Sequence, residues 1–324
     1  MDAGTGDPQA PLELRVRTAD AVHSTRQPAP RRTANHLDEV APTMRAVRQW
    51  GLPRTLVHLI DCEGDSVAHR RRWHKQGTYF LVRTDGTRTV RWRDGECRLP
   101  AVVAALEQAG AFGAPREVQY HGHTAVQTVA ETTLVLTRPA YRNRKGKRKV
   151  IPGKPLTLRL VVSQVRDGAG ALLAQWCLLT NLPPEVEAEQ VALWYYWRWR
   201  IESYFKLLKS AGQQLEAWQQ ESGEAIAKRL LVASMACVVV WQLARLRGPQ
   251  GETVRDLLVR LSGRQMKRGV TFTLPALLAG LWVLLAATTV LKHYDSQAIE
   301  LLVATVLPSF AKTGNDIPQR SDSS

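Results

Sequence analysis

EVEAEQVALWYYWRWRIESYFKLLKS, residues 185–210, is the stretch from which the fold is read. It carries no Gly or Pro, so it predicts one uninterrupted helix. At about 100° per residue, Tyr195, Arg198, Glu202 and Lys209 fall at roughly 0°, 300°, 340° and 320°, a window of about 60°. Trp194, Trp197, Ile201, Tyr204, Phe205 and Leu208 take the adjacent sector, a core stripe. A carboxylate flanked by two cations and a phenol therefore borders a buried face. The plainer alternative is an amphipathic helix with i,i+4 ion pairs such as Arg198 to Glu202.

Upstream, TLVHLI (55–60) is a short apolar run bounded by turn residues, which predicts a fully buried central strand. It ends in DCEGDS, which puts Asp61 just beyond a strand end, where open α/β sheets hold their ligands. Asp65 is the predicted N-cap of a helix over about 66–76. TYFLVR (78–83) is a second strand, closing on Arg83.

Composition bounds the partner. The 324 residues hold 44 Lys plus Arg against 29 Asp plus Glu, a net charge of +15. A chain this basic, with a pI near 10.1, has nucleic acid as its default polyanion. Cys62, Cys97, Cys177 and Cys237 show no CxxC spacing, which fits free thiols in a reducing cytosol. MDAGTGDPQA has no basic or apolar leader region, so no signal peptide is expected. Residues 274–291 are uncharged and reach the lower limit of spanning length. With no second span of similar quality evident, a buried helix accounts for them equally well.

Residues 84–175 differ in character. TRTVRWR (87–93), REVQYH (116–121), TAVQTVAETTLVLTR (124–138) and LTLRLVVSQVR (156–166) read as short strands, a β-rich insertion. Within it, six of the eight residues from Arg142 to Lys149 are basic, including Arg144, Lys145, Lys147 and Arg148. The run is either a solvated hairpin tip or a loop that follows phosphates, and the net charge favours DNA. His121 and His123, on one strand face without a third ligand, make a weak metal signal. WCLLTNLP (176–183) is a strand leading into the 185–210 helix. Trp176 could stack on an unpaired base or belong to the core.

Tyr195, Arg198, Glu202 and Lys209, spaced Tyr-x2-Arg-x3-Glu-x6-Lys, together with Asp61 after its strand, carry a resemblance. The chain resembles the DDE transposases of the insertion sequence 4 family and their YREK signature, over roughly residues 11–310. The resemblance implies a ribonuclease H-like α/β core over 11–85 and 176–215, the β-rich insertion at 86–175, and C-terminal helices over 216–310. Residues 1–10 and 311–324 are expected to be disordered. It further implies metal-dependent cleavage and strand transfer at transposon ends, with Asp61 and Glu202 as Mg²⁺ ligands in a two-ion site. Tyr195, Arg198 and Lys209 would grip the DNA backbone, with Arg83 and Trp176 nearby. The implied partners are double-stranded DNA and a second copy or a full-length transposase, in the prokaryotic cytoplasm at the nucleoid.

The chain departs from that family at its start. PLELRVRT (11–18) is the one strand expected before Asp61 and matches the last strand of a three-strand meander. Asp2, Asp7, Asp20 and Asp38 do not occupy the place of the first catalytic Asp. The core is thus expected to be incomplete and N-terminally shortened. The alternatives in function are a non-catalytic DNA-binding remnant or inhibitor and, more distantly, a basic membrane protein.

Overall fold

The computed structural model describes residues 1–19, 21–26, 39–137, 139–144, 147–151, 153–209 and 212–306. Strands β1 (Arg15–Arg17) and β2 (Val22–Ser24) pair with each other in an antiparallel hairpin. The single strand expected at 11–18 is therefore one arm of a two-stranded unit outside the main sheet. Helix α1 (Val40–Gln49) follows, then β3 (Val57–Ile60), α2 (Val67–Lys75) and β4 (Tyr79–Arg83). β3 and β4 are parallel, with Val57 opposite Tyr79 and Ile60 opposite Val82.

Next come β5 (Thr89–Trp92), β6 (Gly95–Arg98), α3 (Leu99–Gln108), β7 (Arg116–Tyr120) and β8 (His123–Leu136). β9 (Ala140–Arg144) and β10 (Lys147–Ile151) form a separate antiparallel ribbon, before β11 (Leu156–Arg166) and β12 (Leu172–Thr180). Among the described residues the main sheet runs β3-β4-β12-β11-β8-β5-β6, with β7 beside β8. Mixed pairing, parallel at β3–β4 and antiparallel elsewhere, makes this a mixed α/β fold. Apart from the β9–β10 ribbon, the strands of 86–175 thus continue the same sheet that holds β3, β4 and β12. Helix α3 also lies in that stretch, and its Leu99, Val102, Val103 and Leu106 recur at helical spacing.

β3 is an edge strand and not the expected central one: among the described residues it pairs with β4 alone, and all four of its residues are half-buried. Its apolar run fits packing on both faces, but a run of side chains carries no signal for which backbone edges are paired.

The sheet has two covered faces, as period-2 alternation requires. On one, Phe80, Val82, Leu160, Val162 and Leu179 pack with Met44 of α1, Trp73 of α2 and the apolar side of α3. On the other, Leu81, Val161, Trp176 and Leu178 pack under Val191, Ala192 and Tyr195 of α4 (Ala188–Trp197). The remaining helices are α5 (Arg200–Leu208), α6 (Gly223–Arg245), α7 (Pro249–Leu261), α8 (Leu274–Leu291) and α9 (Ser296–Val306).

The chain divides into two compact units: Met1–Gly6, Pro11–Tyr204 and Gln220–Leu231 in the first, and Asp7–Ala10, Phe205–Gln219 and Val232–Ser324 in the second. In the second, α8 starts at a Thr273 cap whose hydroxyl accepts the Ala276 N–H. A Cβ at Gly280 would collide with the Leu258 backbone, so α7 and α8 touch main chain to main chain there. Only the first part of α8 is buried (Ala276, Leu277, Leu278 and Gly280), while Trp282, Val283, Leu285, Val290 and Leu291 are exposed. The expectation of a buried helix therefore holds for its first turns alone. A second helix, α6, is also long and apolar enough to cross a membrane, by length and composition only.

Candidate active site

Asp61 stands at the C-terminal end of β3, and Arg83 is the last residue of the adjacent parallel strand β4. Asp61 caps a 3₁₀ turn, Cys62–Gly64, its Oδ1 accepting the Glu63 N–H at 3.0 Å. Gly64 N–H to the Asp61 carbonyl (3.1 Å), Asp65 N–H to Cys62 (3.1 Å) and Ser66 N–H to Gly64 (2.8 Å) tighten the turn further. Gly64 is buried, and a Cβ there would run into the Ile60 side chain. Helix α2 is capped by Ser66 and not, as expected, by Asp65, whose carboxylate is engaged elsewhere.

The other oxygen of Asp61, Oδ2, accepts from the Arg198 guanidinium at 2.6 Å. Arg83 donates to the Cys62 sulfur at 3.1 Å. Burial pulls the Arg83 guanidinium down, but the thiol of Cys62 together with Tyr195 and Asp61 outweighs it and holds Arg83 above its ordinary range. Tyr195 closes the group from beneath. Burial raises its phenol, opposed in part by Arg83 and Arg198. The tertiary fold thus gathers Asp61, Cys62, Arg83, Tyr195 and Arg198 from three separated segments.

Two predicted DNA contacts prove to be core. Trp176 and Tyr195 are only 4% and 2% exposed, with ring centroids 5.9 Å apart. Neither ring is open to stack on a base, because α4 lies flat on the sheet over both.

The helix over 185–210 is broken. α4 ends at Trp197 and α5 begins at Arg200. The N–H groups of Arg198, Trp199, Ile201 and Glu202 bond to carbonyls three residues back, at 3.0–3.2 Å. Such tight steps turn the chain about 120° each instead of about 100°, so one uniform wheel does not span the break. The expected stripe holds only in part: Trp197 and Leu208 are buried, but Ile201 and Phe205 are exposed, and Leu207, outside the stripe, is buried. Glu202 lies on α5, exposed, its carboxylate making no hydrogen bond or ion pair among the described residues.

Lys209 belongs to the second unit, where its Nζ lies 3.8 Å from Glu216, with both side chains open to solvent. Of the basic run, Arg144 and Lys147 face each other across the β9–β10 ribbon, next to the pair Asn143 and Arg148. Lys145 lies outside the described residues, as do Asp20 and Asp38. His121 sits with Gly122 in the two-residue β7–β8 turn, at φ 51° and 83°, and so does not share a strand face with His123.

Sequence reasoning missed the ion cluster beneath the turn. Asp65 Oδ1 meets Arg70 and Arg88, each at 2.6 Å, and Oδ2 accepts from the Thr84 hydroxyl (2.8 Å) and the Asp85 N–H (2.7 Å). Burial works against the carboxylate, yet the two guanidiniums outweigh it and hold Asp65 below the usual carboxylate range. Arg70 is fully buried, and burial lowers it to about 10 despite Asp65. The one sequence signal was a second aspartate four places after Asp61, with arginines five and 23 residues beyond it.

The donors at Asp61 and Glu202 are hard carboxylate oxygens, the type that Mg²⁺ takes, and Asp61 is part-open to solvent. Among the described residues, no three His, Cys, Asp or Glu side chains stand together as a metal site. The arrangement is a part-open carboxylate at a strand end, paired with Arg198 and next to the Cys62 that Arg83 holds. The family model for the transposase DDE domain matches residues 19–239, more than half of the chain. The chain belongs to that family, whose members act in DNA transposition and recombination with divalent metal. None of the curated proteins matches the sequence.

Proposed function

We propose that this chain is a transposase of the insertion sequence 4 type, built on a ribonuclease H-like core, that binds the ends of a transposon in double-stranded DNA. The observation that carries the reading is the Asp61–Arg198 pair beside Arg83, at the ends of parallel strands, in a chain of the DDE family. Asp61 and Glu202 would hold Mg²⁺, and a divalent ion there would neutralise charge building on the scissile phosphate. Arg83 and Arg198 supply cations to the DNA backbone, and Lys209, in the second unit, is a separate candidate contact. Release of Arg198 from Asp61 would free the cation for phosphate and the carboxylate for metal together. The setting is the prokaryotic cytoplasm at the nucleoid, and the partner protein is a second copy or a full-length transposase.

Among the described residues the reading assigns two carboxylates, Asp61 and Glu202, where the resemblance implies three. On this reading the chain alone holds DNA ends without cutting them, acting as a binder or inhibitor beside a complete transposase. Purified chain incubated with its own transposon ends and Mg²⁺ or Mn²⁺ is expected to retard the DNA in a gel and leave both strands intact. Nicks at the 3′ ends that vanish in both Asp61→Ala and Glu202→Ala would overturn this and show a complete metal site. Their loss in Asp20→Ala or Asp38→Ala would then identify the third ligand.

Charge on the β9–β10 ribbon gives a second test. Each phosphate neutralised contributes about 0.9 to the slope of log K against log salt. Replacing Arg144, Lys145, Lys147 and Arg148 by Ala should therefore lower the slope by up to about 3.6. An unchanged slope means that the ribbon does not touch phosphate.

A further inference from the structure

The buried cluster under the Asp61 turn has more contacts than a helix cap or a surface ion pair needs. Asp65 binds three separate pieces of chain: Arg70 on α2, Thr84 and Asp85 just past β4, and Arg88 at the approach to β5. Arg88 also donates to the Asp65 main-chain carbonyl, at 3.2 Å. Capping of α2 does not require Asp65, since Ser66 does it. Core stability does not require the cluster either, because a well-packed apolar pair commonly replaces a buried ion pair without loss. What the contacts do link is position. Asp65 ends the tight turn that begins at Asp61, and Thr84 directly follows Arg83.

We infer that Asp65, with Arg70 and Arg88 as its counter-ions, is a positioning residue that fixes the Asp61 turn against Arg83. This rests on the proposed role of Asp61 and Arg83 in gripping metal and DNA. Asp65 does not touch the reacting groups. It holds the 61–65 turn and the β4 end in one register, so that the carboxylate and the guanidinium meet the same phosphate.

The Arg83–Cys62 contact provides a readout of that register without metal or activity. A guanidinium against the Cys62 sulfur favours the anionic transition state of thiol–disulfide exchange, so losing that contact slows the reaction. In a Cys97→Ser background, Cys177 and Cys237 being buried, the rate of Cys62 with a disulfide reagent reports whether Arg83 is in place. Arg83→Gln calibrates the loss, expected as a roughly threefold slowing. The variant Asp65→Asn/Arg70→Met removes both buried charges together, and Arg88→Gln perturbs the cluster from its more exposed side. Both are expected to keep a cooperative melt, react at the slow Arg83→Gln rate, and bind Mn²⁺ about tenfold more weakly by electron paramagnetic resonance. If the double variant does not fold, Arg88→Gln decides. Folded variants with the unaltered Cys62 rate overturn the inference. If the rate slows as expected while Asp61→Asn binds Mn²⁺ normally, the positioning role stands and the metal role of Asp61 falls.

Discussion

Asp61→Asn is expected to weaken Mn²⁺ binding by about 100-fold or more, since loss of a ligand should cost at least as much as loss of a residue that orients one. The substitution keeps the shape, and Oδ1 can still accept the Glu63 N–H that caps the turn. What it loses is the charge. The ion pair with Arg198 is part-exposed, so its removal should change folding stability by about 1 kcal/mol or less. Arg198, no longer held, is free for phosphate, so DNA affinity at low salt should be kept or rise. Glu202→Gln should match Asp61→Asn in metal binding, with a still smaller effect on stability, because the Glu202 carboxylate has no partner among the described residues to lose. Titration with Mn²⁺, a thermal melt and a low-salt DNA gel shift on each variant check all three quantities. Normal Mn²⁺ affinity in Asp61→Asn would remove Asp61 from the metal site.

Asp65→Ala should be the most destabilising of the single substitutions considered, at about 3–5 kcal/mol, because it strands the fully buried Arg70 without its carboxylate. For a chain of this size that corresponds to a melting point lower by roughly 4–7 °C. Burial opposes the Asp65 charge, but Arg70 and Arg88 hold its folded pKa below the unfolded value of about 3.9. A depressed carboxylate adds stability that is present above the unfolded pKa and disappears as pH falls through the folded one. The unaltered chain should therefore lose stability as pH drops below about 4, and Asp65→Ala should lack that share of the acid dependence. Equal melting points at pH 7 would mean that Arg70 finds another partner or water.

Local pattern sufficed for much of the fold. β11 lies at 156–166 as its alternating residues predicted, and β4 ends on Arg83 as read. Asp61 follows β3 directly, which the change from apolar run to acidic turn made visible. Helix α3 is legible too, since Leu99, Val102, Val103 and Leu106 keep helical spacing within a stretch otherwise rich in strands.

By itself, then, the sequence determined the order of elements, the strand alternation that gives the sheet two covered faces, the basic charge, and the placing of Asp61 and Arg83 at strand ends. Each of these is set within a few residues, by side-chain period or by turn chemistry. The tertiary structure decided the rest. It put β3 at an edge, because pairing partners are chosen by backbone across long separations. It buried Trp176 and Tyr195 against each other, because a sheet face and a helix face meet there. It also broke the helix at Arg198 and Trp199 without a Gly or Pro to announce it, and it closed Arg70 and Arg88 around Asp65. Contacts between residues far apart in the chain leave no period in a linear sequence, so only the packed fold could reveal them.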